Sequence, residues 1–152
     1  MIPPCKSWDL STLVFLAQTD TTIGFLSKNK QLINQRKGAK ENKELLMEFA
    51  NLQAIHYRVP VYFRNFIRRA KKTSFIVAKT KSFRVITDSY HYAFLQNLQY
   101  LYSSSANPTN KGFDKQFAEQ NADISVIDER GLFSAKSSRI LQIKGQRIKR
   151  IR

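Results

Sequence analysis

The stretch LQYLYSSSANPTNKG, Leu98 to Gly112, sets an apolar run directly against three serines and an Asn-Pro pair. Its chemistry is a row of small donors and acceptors, Ser103, Ser105 and Asn107, presented where a strand leaves a sheet. Asn-Pro and Asn-Lys-Gly also turn a backbone for purely local reasons, so a plain turn is the competing reading. A second candidate is the basic stretch RKGAKENK: the Arg36 guanidinium can fork onto anionic oxygens, with Lys37, Lys40 and Lys43 around it. Other chemistries lack their parts. His56 and His91 have no partners at ligand spacing, and Cys5 has no evident base nearby in sequence. No GxxxxGK[ST] or GxGxxG pattern occurs, and no nucleophilic triad is visible. Without further context, Thr19 and Asp20 read as turn or capping residues.

A chain of 152 residues, 42% apolar and 12% aromatic, can bury enough surface to offset its ordering entropy as one domain, taken as 1–152. Lys and Arg number 26 against 11 Asp and Glu, a net charge of +15 that attracts polyanions. The cations are concentrated. Between Glu48 and Asp88 lie nine Lys or Arg and no acid, and Lys144 to Arg152 adds five more. The single Cys5 excludes an internal disulfide or a multi-cysteine zinc site. The apolar run Leu13 to Ala17 is too short to cross a bilayer, so the expectation is a cytoplasmic protein without a membrane partner.

Strands are expected at LVFLA (13–17), SFIVAK (74–79), FRVIT (83–87), LYSSS, ISVID (124–128) and RILQIK (139–144). QTDTTIG (18–24) reads as a polar turn. Helices are expected over 28–36, 61–72 and 113–120, and from the Asp88 cap through YHYAFLQNLQYL. In 61–72, Phe63, Phe66, Ile67 and Ala70 share one face, and Arg64, Arg68 and Lys71 another. ELLMEFANLQAI (44–55) fits a helix by periodicity and a strand leading into a helix almost as well. Alternating strands and helices imply an α/β domain.

TDTTIG, NQRKGAKENKELL, SFIVAK with FRV, SSSAN and SSRIL together resemble, in this order, the YrdC-like family, the threonylcarbamoyl-AMP synthases. That family shows PTDTVYG-like, KxRP, RVP and STSAN segments and a late Ser-Thr pair. The resemblance spans roughly residues 10–152 and favours strand-then-helix for 44–55. It implies an open, twisted α/β sheet of mixed strand direction flanked by helices, with a basic concave surface. It further implies synthesis of threonylcarbamoyl-adenylate and pyrophosphate from L-threonine, bicarbonate and ATP, with Mg2+, for tRNA modification. Implied partners are tRNA or other RNA and proteins of tRNA modification. By the same resemblance, Thr21 and Arg84 hold threonine. Arg36, Lys43, Ser74, Ser103, Ser105, Asn107 and Ser138 hold the nucleotide. No protein ligand to a metal is implied.

The chain departs from the pattern where Asn34 replaces the motif lysine and Lys37 its proline. Gln18, Ile23 and Ile86 replace a proline, an aromatic and a proline. Lys37 or Lys40 is then the expected compensating cation. The alternative function is a non-catalytic double-stranded RNA, tRNA or nucleotide-binding protein on the same fold.

Overall fold

The computed structural model describes residues 8–77, 81–133 and 135–152. Cys5 and the end of the expected SFIVAK strand, Ala78 and Lys79, lie outside them. Among the described residues, nine strands form one mixed sheet in the order β7-β1-β2-β6-β3-β5-β4-β8-β9. They are β1 Phe15–Gln18, β2 Ile23–Ser27, β3 Leu46–Phe49, β4 Thr73–Val77, β5 Lys81–Val85, β6 Tyr100–Ser105, β7 Ile124–Val126, β8 Arg139–Lys144 and β9 Arg147–Arg150. β1 with β7, β3 with β5 and β4 with β8 run parallel; the other neighbours are antiparallel.

Side chains alternate between the two faces of a strand, so the register assigns each residue a side. One face is apolar along most of its width. Met47, Phe49, Phe75, Phe83 and Leu141 pack with Phe63 and Ile67 of α2 (Arg64–Arg69) and the turn before it. Leu16 and Phe25 pack with Ile33 of α1 (Lys30–Arg36) and Ala118 of α4 (Lys115–Gln120). The opposite face is divided. Under α3 (Ser89–Leu95) it is apolar, with Leu26, Ile86, Leu95 and Leu101 fully or almost fully buried. Beyond α3 it turns polar, and there it forms the floor of a cavity.

Local chemistry sets the helix starts. The Asn29, Asp88 and Asp114 carboxyl or amide oxygens each accept a backbone N–H of the first turn. The helix expected through Leu101 stops at Leu95. Gln99 takes φ 68, the chain reverses, and Leu101 enters β6 as a core residue. Segment 44–55 is β3 followed by one 3-10 turn, Leu52–Ala54, with Asn51 as its cap. Helix 61–72 is a 3-10 turn, Val61–Phe63, followed by α2, and Phe66 stays 43% exposed on its outer side. Two strands went unassigned. The turn expected over 18–24 ends early because Ile23 and Gly24 open β2, and the basic tail forms edge strand β9.

Candidate functional site

A cavity of about 360 Å³ lies on the polar half of the divided face. Its floor comes from alternate residues of four adjacent strands: Ser103 and Ser105 of β6, Leu46 and Glu48 of β3, Ser82 and Arg84 of β5, and Ser74 and Ile76 of β4. The registers Leu46–Ser103, Glu48–Arg84 and Ser74–Ile140 set these side chains side by side. Thr19, Thr21 and Thr22 from the β1–β2 turn close one end, and Ser137, Ser138 and Arg152 the other.

Arg84 is the organising group, 4% exposed. Its Nη1 donates to Asp20 Oδ1 at 2.5 Å and Thr21 Oγ1 at 3.0 Å. Its Nε and Nη2 donate to Ser74 Oγ at 3.2 and 2.9 Å, and Ser74 Oγ in turn lies 3.0 Å from Ser138 Oγ. Four of the five guanidinium N–H groups are thereby engaged, and an incoming anion must take the fifth or displace a hydroxyl. Behind Arg84, Glu48 Oε1 lies 4.0 Å from its Nη1, and Glu48 Oε2 is 2.5 Å from His91 Nε2.

Four charges are thus buried together. Burial alone would raise the Glu48 carboxyl, but the His91 imidazolium and then Arg84 outweigh it and hold it below its ordinary value. Burial alone would lower His91, and Glu48 outweighs that and raises it. Asp20 is raised: burial dominates, Glu48 adds repulsion, and Arg84 offsets only part. Among the described residues, Asp20 Oδ2 and His91 Nδ1 are buried without a hydrogen-bond partner.

The structure gathers Thr21, Ser74, Arg84, Ser103, Ser105 and Ser138 around this one cavity. Asn107 lines a smaller adjoining hollow of about 190 Å³ that shares Thr22 and Ser105 with it. Arg36 is elsewhere. Its guanidinium binds the Asn121 carbonyl at 2.9 Å and the Asp123 carboxylate at 3.1 Å, tying α1 to the approach to β7. Lys40 and Lys43 are exposed and line no part of the cavity.

Asn34 is fully buried, and its amide clips the Glu41 and Lys43 carbonyls at 3.1 and 2.9 Å, which makes it a structural anchor of the basic loop. Lys37 instead reaches the serine row: Nζ donates to Ser104 Oγ at 2.9 Å and to the Ser105 carbonyl at 2.5 Å. Burial, then Lys43, lowers its ammonium to about 8.

Three parts of the site escaped sequence reasoning. Glu48 and His91 lie 43 residues apart, and nothing local marks their pairing. Arg152 depends on a β-bulge: the amides of Ile151 and Arg152 both donate to the Ile140 carbonyl, and Ile140 donates back to Arg152. The extra residue turns the Arg152 side chain onto the cavity face beside Ile140. Regular alternation would have sent it to the other side. The guanidinium is steadied by two bonds to the Ser138 carbonyl, at 3.0 and 3.1 Å.

The site and sheet define an α/β protein with a hydroxyl-rich, arginine-centred cavity on the sheet face. No family model matches the chain, and no curated protein does. Among solved structures, Sua5 of P. abyssi in complex with L-threonine is similar at a TM-score of 0.69 and 12% identity, over 93% of this chain and 50% of that one. YciO of E. coli is similar at 0.69 and 14%, over 93% and 82%. MTH1692 of Methanobacterium thermoautotrophicum is similar at 0.65 and 13%, over 100% and 89%. The chain spans half the length of the P. abyssi protein. These are YrdC-like proteins, and the fold of this chain is the YrdC-like fold. Among the described residues no helix is long and apolar enough to cross a membrane.

Proposed function

We propose that this chain binds an L-amino acid and ATP in the cavity and joins L-threonine, bicarbonate and ATP into threonylcarbamoyl-adenylate, releasing pyrophosphate. The observation that carries the reading is Arg84, buried and aligned by Thr21 and Ser74 at the meeting point of two hydroxyl-lined walls. A guanidinium so held suits a carboxylate, and the Thr21 and Ser74 hydroxyls can rotate away to release to it the Arg84 N–H groups they accept. The P. abyssi protein solved with L-threonine supports an amino-acid ligand on this fold. The cavity volume, about 360 Å³, lies within the roughly 300–1,000 Å³ usual for small-molecule sites.

Adenylation asks a protein mainly to position its reactants and stabilise phosphate charge, and it needs no covalent nucleophile. In this reading the serine row, Lys37 and Arg152 supply donors to the phosphates, and Asn107 meets the nucleotide from the adjoining hollow. Arg36 and Lys43 join only if the basic loop moves. No cluster of three His, Cys, Asp or Glu forms among the described residues, so Mg2+ would enter bound to the ATP phosphates.

Pyrophosphate release from Mg-ATP, dependent on both threonine and bicarbonate and reduced at least tenfold by Arg84→Lys, is the expected result. No release from the folded protein with all three substrates present refutes the catalytic reading. A second reading, a non-catalytic nucleotide- or RNA-binding protein on the same fold, is favoured by the engagement of Asn34 and Arg36 away from the cavity. ATP binding without pyrophosphate release selects it.

A further inference from the structure

Among the described residues that line the cavity, Glu48 is the one carboxylate, set beside Arg84 in a wall of hydroxyls. It is 1% exposed, and a carboxylate so buried is costly unless its charge is matched. Its two oxygens are used differently. Oε2 is taken by His91 Nε2 at 2.5 Å, which fixes the orientation of the carboxylate. Oε1 lies 4.0 Å from Arg84 Nη1, a charge contact too long for a hydrogen bond. Ser103 adds a hydroxyl donor beside the carboxylate. An ionised carboxylate offers about four acceptor positions, so these neighbours leave it able to accept from a ligand. Asp20, the second acid of the cluster, lies behind the cavity wall, against a separate hollow with Lys71, Lys72 and Asp88.

The charges of the cluster constrain what can enter. Asp20 and Glu48 are matched by Arg84 and His91, so the four sum to zero, and a neutral His91 would make the sum negative. A ligand bringing only a carboxylate to Arg84 places a further anion beside Glu48 with no cation to match it. A ligand bringing an ammonium as well adds no net charge. Arg152, the other lining cation, is exposed at the opposite end of the cavity, where water screens it. Spacing selects in the same direction. An α-amino acid carries both groups on one carbon, so its carboxylate can meet Arg84 while its ammonium meets Glu48 Oε1, 4.0 Å away.

We infer that Glu48 is the specificity-determining residue of the cavity: it binds the α-ammonium of the ligand whose carboxylate Arg84 holds, and so selects a zwitterionic amino acid over a hydroxy acid. His91 is a positioning residue that keeps Glu48 Oε1 turned to that ammonium. The inference rests on the amino-acid reading proposed above and adds to it the group that excludes ligands without an amine.

The test is calorimetric titration of the full chain with two probes, L-threonine and the α-hydroxy acid that carries the same side chain. The intact protein should bind the hydroxy acid more weakly by about tenfold or more, the worth of one hydrogen bond to a charged group. Glu48→Gln should weaken L-threonine by about tenfold or more and the hydroxy acid by less than about threefold, so the preference collapses. Glu48→Asp keeps the charge and should keep L-threonine favoured by more than about threefold. Circular dichroism checks the fold of each variant; should Glu48→Gln unfold, the intact protein and Glu48→Asp decide. A Glu48 that only supports the fold would lower both ligands alike. Equal losses in Glu48→Gln, or a hydroxy acid that binds the intact protein as well as L-threonine does, overturn the inference and leave the amino-acid reading standing. Failure of the folded, intact protein to bind L-threonine removes both.

Discussion

Replacing His91 with Leu tests the buried charge cluster most directly. In the intact protein Arg84 and His91 balance Asp20 and Glu48, and all four are at most 7% exposed. His91→Leu leaves Glu48 ionised, with Arg84 at 4.0 Å as its remaining cation, and that cation is already bound to Asp20. Orphaning one member of a buried pair destabilises by about 3–5 kcal/mol. We take about 3 kcal/mol, because Arg84 still gives partial compensation. At roughly 2–4 °C per kcal/mol for a chain of this size, Tm should fall by about 6–12 °C. Glu48→Leu should be milder, since an orphaned imidazole sheds its proton and is left short of one hydrogen bond, about 1–3 kcal/mol. The double variant restores neutrality and should be more stable than the two single losses add up to, by about 2 kcal/mol, well above the ~0.5 kcal/mol seen for independent sites.

The pH dependence follows from the directions of the two shifts. His91 is raised above its ordinary 6.5, so its contribution is complete below that value and fades as pH climbs through the folded pKa. Glu48 is lowered from its ordinary 4.5, so its contribution is present above that value and disappears as pH falls through the folded pKa. The pair therefore stabilises most between about pH 4.5 and 6.5. Urea unfolding followed by circular dichroism at pH 4, 5.5 and 8 reads all of this. Additive single losses, or a deficit for His91→Leu as large at pH 4 as at pH 5.5, would refute the reasoning.

Two further outcomes follow from the site. ATP affinity should fall as pH rises through about 8, where Lys37 loses its charge. Lys37→Arg should flatten that profile in calorimetric titrations, and an unchanged profile would remove Lys37 from phosphate binding. Gly24→Ala would place a Cβ 3.1 Å from Thr19 Cγ2 and 3.3 Å from the Ser104 carbonyl. Thr19 is pinned by its own bond to the Thr22 carbonyl at 2.6 Å, and the carbonyl belongs to the β2–β6 ladder, so neither yields easily. The expected result is a loss of about 1–2 kcal/mol in denaturant unfolding, with threonine binding weakened as the turn shifts.

Much of the architecture was written locally. The apolar runs at 13–17, 74–77 and 139–144, the caps at Asp88 and Asn29, and the serine row behind Leu101 depend on neighbours a few residues away. Period-two alternation also turns Ser103 and Ser105 to one face and Ser104 to the other, and Lys37 reaches the strand end between them, bonded to Ser104 Oγ and the Ser105 carbonyl. The errors arose where backbone reversals outranked periodicity. Leu98 and Leu101 keep helical spacing with Leu95, yet the left-handed Gln99 ends the run and hands Leu101 to a strand.

The site divides along the same line. Thr21, Ser74, Arg84 and the serines were singled out by resemblance to the motif order of one family, and the structure gathers them around one cavity because alternate residues of adjacent strands share a face. Arg36 could not be placed from order alone: its guanidinium reaches whichever carboxylate folding brings near, and that is Asp123, 87 residues away. Glu48 and His91 become partners only once α3 covers β3, and Arg152 reaches the cavity through a bulge that shifts its phase by one residue. Sequence determined which residues could bond anions and where strands and helices begin. Only the packed sheet decided which cations remained available, because a charge's role depends on distances across strands that spacing along the chain does not encode.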